Sequence, residues 1–274
     1  MDIMTIVGWG LGLGALLYAV GTSQASAFFM NKNAIILVLG GTLGATLITY
    51  PWSLLKRVPR AMSIFIFPGR RERATEMMEA LVRLTTQAKA YGPDSLQAEF
   101  GNMKSRFLVD GLKMIIDGLP PNSVRESLLK DIHFTRVRHS EVANLFRNMA
   151  TYAPIFGLLG TLVGVVEVLQ NLSDPATMGV HMALAMTATF YGIFSANFVF
   201  LPIAGKLQAY SEHELFLKEV MIEGIMAIQK GEVPSILSRK LQAYLSNGTR
   251  RPTVKGAVKE PGKGAKTPQP LHKR

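Results

Sequence analysis

The chain of 274 residues contains no cysteine, so no disulfide can staple it. Charge is absent over long stretches. Between residues 153 and 203 only Glu167, Asp174 and His181 titrate near neutral pH. There is no His-Glu-x-x-His, no Gly-x-Ser-x-Gly and no pair of carboxylates inside an apolar run, which argues against an intramembrane enzyme. Strand-type alternation is missing as well, which leaves an all-α reading.

What the sequence does have is apolar length. Residues 153 to 203 hold two apolar runs joined by a short polar link, with Pro154 and Pro202 near their ends. Ile3 to Thr22 and Ala34 to Tyr50 add two more. About 20 apolar residues cross the roughly 30 Å of bilayer hydrocarbon, so four spans are expected, the second near the lower limit. Ala25-Ser26-Ala27 has the look of a leader cleavage site, but Met1-Asp2 offers no positive charge and the run exceeds a leader's apolar region. The first run is therefore read as a retained span.

Cations set the orientation. Segment 53–148 carries 16 of the 30 Lys and Arg, the stretch 204–274 carries 13, and Lys32 is the remaining one. Cytoplasmic flanks are enriched in Lys and Arg, so both segments and both termini are expected inside. The short links 23–33 and 173–179 are then outside. The formal net charge of +11 needs no nucleic acid; it follows from this bias and from attraction to anionic lipid.

Five regions follow: a first hairpin (1–52), a cytoplasmic helical loop (53–148), a second hairpin with spans at about 149–172 and 179–203, a helical region (205–246) and a basic tail (247–274). In the loop, helices are expected over 72–90, over 95–119 after a Gly92-Pro93-Asp94 break capped by Asp94 or Ser95, and from Ser123 toward the third span after Pro120-Pro121. The loop's mixed charges suit either a solvated surface or a docking face. The tail, with eight basic residues, four prolines and no aromatic, has too little apolar surface to fold.

Small residues pattern the last two spans. Gly157, Gly160 or Thr161, and Gly164 share one helix face, as do Ala185, Ala188 or Thr189, Gly192 and Ala196. Such seams let backbones approach closely. Thr161 and Thr189 could line a polar path or simply bond the preceding turn; Thr187 lies about 200° round from Thr189 and cannot share its face. No carboxylate lies at mid-membrane depth, so a partner chain would have to supply the group that binds an ion. Glu167 and His181 fall near the outer surface, placed to pair, to collect cations at an outer mouth, or to reach interfacial water.

The run Ala153-Pro154-x-x-Gly157-x-x-Gly160-Thr161-x-x-Gly164, then Asn171-Leu-x-Asp174-Pro175, Tyr191-Gly192, Asn197 and Phe200-x-Pro202-Ile203-Ala204-x-Lys206-Leu207 closely resembles the MotA/PomA flagellar stator subunits. The resemblance covers residues 1 to about 247. It implies a bacterial inner-membrane protein without enzymatic activity or bound cofactor. It also implies a pentameric ring around two single-span MotB/PomB-like partners whose transmembrane Asp takes up the ion. Ion flow would then drive a cytoplasmic rotor protein. Thr161, Ala188 and Thr189 match the ion pathway, Pro154 and Pro202 the coupling prolines, and Lys89 and Glu99 the rotor contacts. Lys89 stands where Arg is commoner, an exchange that a point-charge contact tolerates. Sodium-type members carry paired threonines where this chain has Ala188-Thr189, and an outer Asp where it has Asn31. Protons are therefore expected as the transported ion, with sodium as the alternative. An ExbB/TolQ-type energiser of envelope transport or gliding is the runner-up; such proteins usually have three spans.

Overall fold

The computed structural model describes residues 3–22, 31–67, 73–173 and 175–248. Among these every regular element is helical. Helices α1 (Ile3–Gly21) and α2 (Lys32–Thr49, π-helical over Ile36–Gly40) are the candidates for the first two spans. Two short helices, α3 (Trp52–Leu55) and α4 (Val58–Ile66), follow. Then come α5 (Ala74–Tyr91), a 3-10 segment (Pro93–Asn102) and α6 (Arg106–Ile116). Helix α7 (Pro121–Gln170) runs for 50 residues, and α8 (Pro175–Phe194) passes through a π-helical stretch (Ser195–Phe200) into α9 (Leu201–Gln229). Helix α10 (Pro234–Gly248) ends the described chain.

Among the described residues, four helices are long and apolar enough to cross a bilayer. The start of α2 is set by Asn31, whose side-chain oxygen accepts from the backbone N–H groups of Asn33 (3.0 Å) and Ala34 (3.2 Å). That cap satisfies two of the donors every helix start leaves open. It also gives Asn31 a local role that an Asp would fill equally well.

At 1.5 Å per residue α7 is about 75 Å long, more than twice the hydrocarbon thickness. Its C-terminal part is the third span; its N-terminal part stands clear of the membrane. The α8–α9 rod does the same in the opposite direction. Outside the membrane these two extensions join α5, α6 and α10 around one core, with Leu81, Leu112, Val124, Ile225, Leu237 and Leu241 almost wholly buried. Nearer the membrane a second core gathers Ala34, Val38, Leu145, Phe146, Ala153, Ala188, Ile203 and Ala204.

Both large segments therefore hang from the same end of the four-span bundle. That end is marked by polar ties: Asn148 Nδ2 donates to the Tyr50 hydroxyl at 2.6 Å, Thr49 and Tyr152 hydroxyls meet at 3.1 Å, and Lys206 Nζ donates to Thr5 Oγ1.

Some boundaries differ from those the sequence suggests. The helix expected over 95–119 is broken: a 3-10 segment ends at Asn102, and Ser105 caps α6 by accepting from Leu108 N–H at 3.4 Å. Gly101-Asn102 interrupts the pattern, and Ser105 offers a better cap than Asp94 or Ser95. The third span and the helix leading to it are one rod, so the division at 148–149 falls inside α7. Likewise α9 carries the fourth span through the 204–205 boundary. The region after it is split at Gly231, whose φ of 65° is easy for glycine and costly for other residues. The basic tail beyond Gly248 and the Ala25-Ser26-Ala27 stretch lie outside the described residues.

Candidate ion pathway and hinges

The seams on the third and fourth spans face each other, and α7 with α8 forms the most extensive helix pair among the described residues. A Cβ at Gly192 would sit 2.7 Å from the Ala153 carbonyl oxygen and 3.1 Å from the Cα atoms of Gly157 and Pro154. A Cβ at Gly157 would sit 3.0 Å from the Ala188 carbonyl oxygen, and one at Gly164 2.8 Å from that of His181. Gly160 receives the Ala188 methyl. Glycine is required here by the neighbouring backbone.

Ala188 is consequently fully buried, spent on the packing of its own protomer. Of the three residues assigned to the pathway it offers no side-chain surface. Thr161 and Thr189 keep partial exposure. Thr189 lies on a row with Met182, Met186, Ile193 and Asn197, spaced three or four apart, and these four are exposed. Thr161 sits in the turn bounded by exposed Leu158 and Leu162, with its hydroxyl donating to Leu158 O at 2.6 Å. The protomer thus presents two apolar faces, each bearing one threonine, to whatever stands beside it.

Other hydroxyls turn inward and are satisfied locally. Thr42, Thr46, Thr187 and Ser195 are buried, and each donates to the carbonyl four residues back at 2.6–2.7 Å. In hydrocarbon this is the cheapest way to bury a hydroxyl.

The two prolines occupy different local structures. Pro154 is internal to α7, partly buried, at the closest approach to Gly192. Pro202 follows the π-helical Ser195–Phe200 stretch and is exposed. Proline cannot donate to the carbonyl four residues back and its ring crowds that oxygen, so widening the preceding turn relieves the clash. Sequence reading found the prolines but not the π stretch. It also missed the stack of Phe190, Phe194 and Phe198, with centroids 5.9 and 5.1 Å apart, whose last ring packs on Gly12 of α1.

Outside the membrane a charged tie joins α7 and α9. Lys218 Nζ donates to Asp131 Oδ2 at 2.9 Å and to Thr135 Oγ1 at 3.0 Å, and lies 5.0 Å from the Phe107 ring centroid. Beside it His139 Nδ1 meets Ser211 Oγ at 3.1 Å. Burial pushes the His139 imidazole below its ordinary range, and neighbouring Glu214 opposes that. These contacts tie α7 to α9.

The proposed rotor residues lie on the surface of the helical domain. Lys89 is exposed in the last turn of α5; Glu99, half-buried in the 3-10 segment, has Arg83 3.9 Å away. At the opposite end of the bundle Glu167 Oε2 and His181 Nδ1 are 2.7 Å apart, so among the alternatives open to them they pair. Among the described residues no group of three or more His, Asp or Glu could hold a metal.

Comparison with known proteins agrees. Residues 100–220 match the model of the MotA/TolQ/ExbB proton channel family. Over 268 residues, 94% of this chain and 98% of the relative, the chain is 34% identical to the uncharacterized protein YtxD of Bacillus subtilis. It is 31% identical to motility protein A of Borreliella burgdorferi, covering 90% and 95% of the two chains. With the chemotaxis protein PomA of Vibrio alginolyticus the identity is 30%, over 91% and 98%. In fold it superposes on the flagellar MotAB stator complex from Bacillus subtilis with a TM-score of 0.81 at 27% identity, covering 91% of this chain and 97% of that one. The C. jejuni MotAB structure gives 0.82 at 22% identity, a likeness of fold, with 89% and 96% covered. The chain belongs to the MotA/TolQ/ExbB proton channel family, on its MotA/PomA flagellar stator branch.

Proposed function

We propose that this chain is the ring-forming subunit of an ion-driven flagellar stator. Five copies surround two single-span MotB/PomB-like partners, and protons crossing beside them turn the ring. The observation that carries this reading is the α7–α8 pair. Its seam is sealed by backbone contacts, its outer faces stay open with one threonine each, and both rods continue into the helical domain. A displacement at the hinges must therefore move the domain. The four-span plan and the flagellar relatives favour this over an energiser of envelope transport.

The ring sits in the bacterial inner membrane, with the helical domain and both termini in the cytoplasm. The support is the concentration of Lys and Arg on that side. The partner's membrane-embedded Asp takes the proton, and Thr161 and Thr189 hold water beside it. Ala188 contributes by its smallness, letting Gly160 close against it. A charge falling through about 100 mV releases about 2.3 kcal/mol, the supply from which rotation is driven.

Expressed with its single-span partner in cells lacking stators, the chain should restore rotation, and the purified complex should have the mass of five copies plus two partners. Thr189→Val should lower rotation speed while leaving the amount of complex unchanged. Full speed in that variant would remove Thr189 from the pathway.

The surface bearing Lys89 and Glu99 engages the rotor. Exposed ion pairs contribute about 0–1 kcal/mol each, so one charge reversal should reduce swimming partially and the double reversal severely, with ion conduction intact. Because Glu99 lies near Arg83, the variant Glu99→Lys with Arg83→Glu is the control. Motility restored by that exchange would make the pair internal and move the rotor contact elsewhere.

A further inference from the structure

The α7–α8 seam is a ladder of rungs: Gly157 with Gly192, Gly160 with Ala188, Gly164 with Ala185 and the His181 backbone. Glu167 continues the spacing on α7, and His181 stands one turn before Ala185 on α8. The outermost rung therefore pairs two titratable side chains where every other rung is Gly or Ala. Its Oε2···Nδ1 separation is 2.7 Å, and the two side chains keep 37% and 27% exposure, so water reaches them. Asn171 Nδ2 donates to the Glu167 carbonyl at 2.8 Å and fixes the last turn beneath the carboxylate.

Few other charges act there. Helix α8 contains no Asp, Glu, Lys or Arg, and Glu167 is the one ionisable residue of α7 beyond Pro154. Of the elements packed on α8, α2 brings Lys32, exposed in its first turn, and its π-helical part brings none. Helix α1 is uncharged, and Asp174 lies outside the described residues.

We propose that Glu167 and His181 form a proton-binding clasp that closes the outer end of the α7–α8 seam. An ionised carboxylate can only accept, so Nδ1 carries its hydrogen toward Oε2 and an arriving proton takes Nε2. The hydrogen bond then becomes an ion pair with no movement of heavy atoms, and charge-assisted bonds are about twice as strong as neutral ones. Loss of that proton to water leaves the neutral hydrogen bond, and the seam frays from this end. Histidine is the side chain whose unperturbed charge change falls between about pH 5 and 8. The clasp makes the order of the outer hairpin follow the pH of the water that touches it. The orientation proposed above is needed only to say from which side the proton comes.

The chain has no native cysteine, so Leu169→Cys and Val180→Cys, both at exposed sites, give each labelled copy one pair of spin labels, and an excess of unlabelled chain in the ring keeps pairs between copies from contributing. Their distance distribution is measured in the stator complex in nanodiscs, where both faces share one buffer. Raising the pH across about 5 to 8 should increase the separated population about twofold to fivefold, the range expected of a partly exposed ion pair. His181→Lys, charged throughout, should stay closed at every pH. Glu167→Gln and His181→Asn should be separated and insensitive to pH. An unchanged distribution in the parent, or the parent's pH response in His181→Lys, would overturn the clasp and leave the stator reading untouched.

Discussion

Gly192→Val is expected to abolish rotation and to lower the yield of complex by more than any other single change in the spans. A Cβ there would lie 2.7 Å from the Ala153 carbonyl oxygen and 3.1 Å from two Cα atoms, all backbone of the facing helix. Overpacking a core with side chains that can rearrange costs about 1–3 kcal/mol; here the obstacle is backbone, and only separation of α7 from α8 relieves it. Separation exposes Ala188 and tilts the faces that carry Thr161 and Thr189. Gly192→Ala should be graded between parent and Val, since it adds the Cβ alone. Copurification of the partner and swimming speed are the readouts. A Gly192→Val protein that assembles and swims normally would show that the seam is not closed in the working molecule.

Pro202→Ala should give the contrasting result: a complex that assembles with its partner but yields almost no torque. Alanine restores the N–H that proline lacks, and the π-helical Ser195–Phe200 stretch loses its cause. Closing that stretch to regular α-helix shifts the register by one residue, about 100° of rotation between the fourth span and its extension. The Met182–Met186–Thr189–Ile193–Asn197 face would then be turned away from its present setting relative to the α9 core. A proline disfavours the straight helix by about 3 kcal/mol, so its removal biases a bending equilibrium roughly a hundredfold. Pro154→Ala should behave similarly, because Pro154 follows Ala153, whose carbonyl makes the tightest contact with Gly192, and a bend in α7 there is passed directly to α8. Normal swimming in either variant would deny that proline its role as a hinge.

The spans were legible because hydrocarbon leaves the backbone few options, and the Gly and Ala spacing showed which faces are close-packed. That these two faces meet each other was not legible: either could have met a neighbouring copy. The same gap explains Ala188, which matches a pathway position in sequence yet spends its methyl on Gly160. The long rods were obscured because polar and apolar halves of one helix look like two elements. The break before α6 was misplaced because Leu96, Phe100 and Phe107 keep a helical rhythm across Gly101 to Ser105. Neither π stretch has a signature of its own, although Pro202 follows the second. Helices α3 and α4 passed unseen within the loop because each is under ten residues, although Ala61 and Phe65 are buried and Arg57 meets Glu141 at 3.1 Å. Glu167 and His181 were correctly placed at one depth by counting rise per residue, and their pairing was one of the alternatives that count allowed.

Protons passing along the open α7 and α8 faces are proposed to power rotation. Na⁺ needs several oxygens at fixed distances, and Ala188 adds none from its side chain, whereas a proton needs a carboxylate and a chain of water. The direct measurement is the rotation speed of tethered cells driven solely by this chain and its partner, with protonmotive force and sodium varied independently. Speed should persist in sodium-free buffer, rise with protonmotive force and collapse with a protonophore. Speed that rises with sodium at constant protonmotive force, or that survives the protonophore, would contradict it.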